Sequence, residues 1–129
     1  MTNALRYRLL WLGIGWAYVA FILFISLVPQ PPKLEVEHFD KLVHFLAYAG
    51  AMTWFIQLYE KTSTRVYYAL GFIAMGVGVE FLQEMGGERL FEYSDMLANG
   101  LGVLSALLLV RGVLARMLWY LERHLPQRT

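Results

Sequence analysis

Between Leu9 and Val28 twenty consecutive residues carry no charge. At about 1.5 Å per residue, a helix of that length crosses about 30 Å, the hydrocarbon thickness of a bilayer. A cleaved signal peptide would have a shorter apolar core and a small-residue cleavage site. This run ends instead in Pro29-Gln30-Pro31-Pro32, which cannot continue a helix for want of backbone N–H groups. It is read as a retained first span.

The rest of the chain repeats the pattern. Only 16% of the 129 residues are charged, against about a quarter in a soluble domain. Those charges cluster, leaving long apolar stretches between them. Spans are predicted at about 9–28, 41–59, 66–85 and 95–114. Glu60 to Arg65 forms a tight polar turn, Gly86-Gly87 ends the third span, and Ser94 is an N-cap for a fourth helix that runs from Asp95 to about Val110. Arg111 to Leu125 either continues that helix or lies on the surface as an amphipathic piece. The expectation is one domain, residues 1–129, built as an all-α four-helix transmembrane bundle. With no cysteine there is neither a disulfide framework nor a thiolate metal site, and no nucleic-acid or nucleotide-binding motif is present.

Charge counting gives an orientation. With both termini cytoplasmic, Arg6, Arg8, Lys61, Arg65, Arg111, Arg116, Arg123 and Arg128 lie inside, and only Lys33, Lys41 and Arg89 lie outside. Eight against three follows the positive-inside rule. Tyr7, Trp11, Tyr59, Tyr67, Tyr68, Trp119 and Tyr120 then form an inner aromatic belt. Small residues four apart (Gly13 and Ala17, Ala47 and Ala51, Ala74 and Gly78, and Ala98, Gly102 and Ala106) are read as close-packing stripes.

The polar residues near the outer ends carry the functional reading. Asp40, His44 and Tyr48 share one helix face, as do Glu80 and Glu84, and Asp95 and Asn99. Asp40, Glu84 and Asp95 would form an upper layer, with His44, Glu80 and Asn99 about 6 Å deeper. If these faces turn together, they make one outward-opening polar pocket. Asp40 and Asp95 at helix N-termini are also explained by capping and the helix dipole. Glu80, near a C-terminus and inside the apolar layer, is costly there without a partner; Lys41, His44 and Arg89 are the available ones. Arg89 is either a loop cation neutralising Glu84 or Asp95, or a fork for phosphate or carboxylate. His44 either donates a hydrogen bond across helices or serves proton transfer or ligand contact. Asn99 is read as interhelical glue.

The ordered set D-K-x-x-H-F-x-x-Y (Asp40 to Tyr48), E-x-x-Q (Glu80 to Gln83), Arg89 and S-D-x-x-A-N-x-x-G (Ser94 to Gly102) resembles the VanZ-like family over about Pro29 to Ala106. One departure lies at Met85-Gly86-Gly87-Glu88-Arg89, where many members have a proline before the arginine. The resemblance implies a small multi-pass protein of the bacterial cytoplasmic membrane, whose founding member is associated with low-level resistance to teicoplanin-type lipoglycopeptides. The expected function is an envelope protein without cofactor or metal. Its pocket, formed by Asp40, Lys41, His44, Tyr48, Glu80, Gln83, Glu84, Arg89, Asp95 and Asn99, would bind a lipid headgroup, a lipoglycopeptide-like amphiphile or a partner protein. The competing expectation is an intramembrane enzyme acting on a lipid-linked substrate, with His44, Glu80 and Asp95 as its catalytic groups and oxygen-rich ligands suited to a divalent cation.

Overall fold

A computed structural model describes residues 4–28, 39–86 and 92–126. All regular structure among them is helical: α1 (Arg8–Leu27), α2 (Phe39–Leu58), α3 (Thr62–Met85), α4 (Tyr93–Leu109), a single 3₁₀ turn (Leu114–Arg116) and α5 (Met117–His124). By length and composition α1 and α3 can each cross a membrane, and α4 with α5 would make a third such segment but for a 90° bend between them. The outward surface agrees with a lipid solvent. Leu9, Phe21 and Phe24 on α1, Leu70 on α3 and Leu108 and Leu109 on α4 are all more than half exposed.

The second helix is the centre of the molecule. It packs most extensively on α4 and also touches α1 and α3. Its residues Ala51, Met52, Phe55 and Ile56 are almost wholly buried. The α2–α4 seam is close because Gly102 has no side chain: a Cβ there would collide with the Phe45 carbonyl oxygen and lie 3.1 Å from the Ala49 nitrogen. On the other faces, Gly15 admits the Trp54 indole, and Gly76 lets α3 approach Asn99 and Tyr48. Gly13 and Gly78, expected to pack, meet nothing within 4 Å; the neighbouring Gly15 and Gly76 are used instead.

Three helix boundaries differ from the sequence reading. The third helix starts at Thr62, so the polar turn shrinks to Tyr59–Lys61, and Arg65, now helical, reaches back to donate to the Tyr59 and Ile56 carbonyls at the end of α2. Orphan carbonyls at a helix end take a cation readily, which favours that arrangement. The fourth helix begins at Tyr93 with Glu92 as N-cap, and Ser94 lies inside the first turn. That helix stops at Leu109. Gly112 adopts φ +59°, a left-handed conformation suited to glycine, and the chain bends into α5. The segment is therefore a separate short helix set at 90° to α4, not a straight continuation of it.

The last helix closes on the first. α1 has no side-chain cap of its own. The Glu122 carboxylate accepts the Arg6 and Tyr7 backbone N–H groups at 2.6 and 2.9 Å and the Trp11 indole N–H at 2.7 Å. Burial alone would push this carboxyl's pKa up, but those bonds from Tyr7, Trp11 and Arg6 outweigh it and hold it below its ordinary value of 4.5. Tyr59 and Tyr68 of the expected aromatic belt share a 2.9 Å hydroxyl hydrogen bond.

Candidate functional site

The N-terminal turns of α2 and α4 lie side by side, which brings Lys41 against two acids from the other helix. Its ammonium donates to Asp95 Oδ1 at 2.7 Å and to Glu92 Oε2 at 2.8 Å, and is 3.9 Å from Asp40 Oδ2. The Asp95 side chain is 6% exposed and that of Lys41 is 29% exposed, so the pair is walled on the protein side and open at its rim. One turn deeper, His44 Nδ1 and Asn99 Oδ1 are 3.1 Å apart. With that oxygen accepting, Nδ1 is the donor. Nε2 lies 3.9 Å from Asp40 Oδ1.

Glu80 has a different role from the one its position suggested. It is 2% exposed, and its Oε1 accepts the Glu92 backbone N–H at 2.8 Å. The buried carboxylate thus fixes the backbone of Glu92, the N-cap of α4, whose side chain reaches Lys41. Gln83 turns away from this cluster, donating to the Ser26 carbonyl of α1 at 2.7 Å. Glu84 is exposed on α3 and meets none of these groups among the described residues. Arg89, like the Pro29–Pro32 break, lies outside the described residues.

Behind His44, Tyr48 is 2% exposed, and its hydroxyl has no hydrogen-bond partner among the described residues. The same holds for Gln83 Oε1. Unmet buried polar atoms are few in native proteins and each calls for an explanation. Tyr48 lines a pocket of about 280 Å³ between α1 and α2, with Asp40, His44 and Ser26 as its polar residues and Phe21, Ile22, Ile25 and Val43 as its apolar wall.

The expected convergence of α2, α3 and α4 therefore divides into two parts. Lys41, Asp95, Glu80 and Glu92 bond to one another, and Asn99 meets His44, so these contacts join the helices. Asp40, His44 and Tyr48 border open volume, and that volume faces α1. Sequence reasoning missed Glu92, whose only signal was an acid three residues before Asp95, and Ser26, which looked like part of an apolar span. A tight group of potential cation ligands also emerges: one atom each from Asp40, His44 and Asp95 lies within 4.8 Å of the others. Glu80 is not among them.

Compared with known proteins, the chain matches no family model, no curated protein and no solved structure.

Proposed function

We propose that this chain is a VanZ-like envelope protein, a four-helix bundle of the bacterial cytoplasmic membrane with both termini inside, whose α1–α2 pocket binds the polar end of an amphiphile. The observation that carries this is the pocket's division: a carboxylate, an imidazole and a phenol unpartnered among the described residues at one part, aliphatic and aromatic walls along the rest. Such a site favours a head that donates hydrogen bonds, an amine or hydroxyl, attached to an apolar body. A lipid headgroup and an acylated antibiotic of the teicoplanin type both have that form. Support for the orientation comes from the charge count and from Glu122, which holds α5 against the start of α1, so both lie at one end of the bundle. A photo-crosslinking residue in place of Val43, on the pocket wall, should capture lipid or added lipoglycopeptide in an Asp40- and His44-dependent way. The proposal fails if Val43 captures no more than Leu42, which is 51% exposed and does not line the pocket.

A second reading rests on the Asp40–His44–Asp95 grouping. Two carboxylates and an imidazole could take a divalent cation and act on a lipid-linked phosphate or ester. In the described structure the Lys41 ammonium already neutralises Asp95, so a cation would have to displace it. Stoichiometric metal in purified protein, rising in Lys41→Met, would favour this reading over the first; none in either variant would exclude it.

A further inference from the structure

At the opposite end of α4 from Asp95, the bend before α5 and the first turn of α3 enclose a cavity of about 410 Å³. Three arginines line it. Arg65 is anchored by its bonds to the Ile56 and Tyr59 carbonyls. Arg111 and Arg116 are exposed, and neither guanidinium has a partner among the described residues. Glu60 is the only acid among the described lining residues, so three positive charges face one negative charge, an excess of two.

The cavity is held open by structure on both sides. Gly112 makes the bend. The Leu118 N–H donates to Gln57 Oε1 at 2.9 Å, and Glu122 fastens the far end of α5 to α1. The arginines are thus kept on a concave surface instead of spreading over a flat one. An amphipathic helix beside two membrane-length helices lies at headgroup depth. Three guanidinium groups lining one cavity with a single acid match phosphate in both charge and fork geometry.

We infer that this cavity binds a phosphate group, with Arg111 and Arg116 as its contacts and Arg65 as a fixed positive floor. The group is either the phosphodiester of an anionic lipid or a free phosphate.

The test uses the full chain in detergent. Retention of phosphatidylglycerol and phosphatidylcholine is measured by native mass spectrometry, with and without inorganic phosphate as competitor. The variants are Arg111→Gln/Arg116→Gln and, as control, Arg6→Gln/Lys61→Gln, which removes two charges from the same end of the bundle outside the cavity. Both pairs are exposed, and equal unfolding temperatures will show that both variants are folded. The inference expects wild type to prefer phosphatidylglycerol and the cavity variant to hold it about a hundred-fold more weakly, the factor for losing two charge-assisted hydrogen bonds to the phosphate, which the control pair does not make. The control should stay within a few-fold of wild type. Displacement by inorganic phosphate identifies a free-phosphate site, and resistance to it a lipid site. Equal losses in the two variants would mean diffuse surface attraction and overturn the inference. So would equal retention of the two lipids with no effect of phosphate.

Discussion

Replacing Lys41 with methionine tests how far the polar cluster holds the bundle together. The substitution keeps the aliphatic stem and removes the charge that joins Asp95, Glu92 and Asp40. Deleting one member of a buried ion pair costs about 3–5 kcal/mol because the other is left uncompensated. Here Lys41 is 29% exposed and Glu92 half exposed, so water recovers part of the loss. A cost of about 2–3 kcal/mol is expected for Lys41→Met. Asp95→Asn should cost less, about 1–2 kcal/mol, because Lys41 keeps Glu92 and reaches solvent. In the double variant the buried charge and its missing partner vanish together, so the total should fall short of the sum by about 1–2 kcal/mol. Equilibrium unfolding in mixed micelles, followed by far-UV circular dichroism, measures all three. Additivity within about 0.5 kcal/mol would refute the coupling. A larger cost for Asp95→Asn than for Lys41→Met would refute the burial argument behind the asymmetry.

Four further substitutions test the packing and the hydrogen bonds. Gly102→Ala should destabilise by about 1–3 kcal/mol despite its better helix propensity, because the added methyl meets backbone atoms of α2. Gly100→Ala, one position pair away with nothing within 4 Å, should be neutral or stabilising by up to about 1 kcal/mol in the same unfolding assay. Tyr48→Phe removes a hydroxyl with no partner among the described residues, so stability should hold or rise slightly while amphiphile capture from position 43 falls. Glu122→Gln should cost about 1–2 kcal/mol, the worth of a helix cap. Since folding lowers the Glu122 pKa, its contribution is present above pH 4.5 and is lost as pH falls through the lower folded value. A wild-type/Glu122→Gln stability difference that did not narrow on acidification would contradict this.

The apolar segments were legible because a bilayer imposes a length and a composition, as Leu9–Val28 shows. The polar residues were legible as a set but not as a division of labour. Helical spacing placed Asp40, His44 and Tyr48 on one face correctly, and paired His44 with Asn99 at a common depth. It could not show that Glu80 accepts the Glu92 N–H, since a backbone N–H leaves no mark in the sequence. Nor could it show that Gln83 reaches α1. The glycine stripes were legible in part: Gly102 closes the α2–α4 seam as expected, but Gly13 and Gly78 do not pack, because spacing of four identifies residues that share a face while helix rotation decides which face meets a neighbour. Gly15 and Gly76 were chosen by the bundle over Gly13 and Gly78. Gly112 was informative only once its φ was known.

The capping of α1 by Glu122 links residues separated by 115 positions. During synthesis from the N-terminus, the first helix therefore enters its surroundings with two amide groups still open, and receives its cap only after every other helix has been made. A ribosome stalled before codon 122 would leave a product whose first helix is unfinished, although every residue of that helix is present. Quality-control proteases that probe frayed helix ends could distinguish such a product from the finished chain. Moving Glu122 into a separately expressed α5 peptide would show whether the cap still works when it arrives from outside.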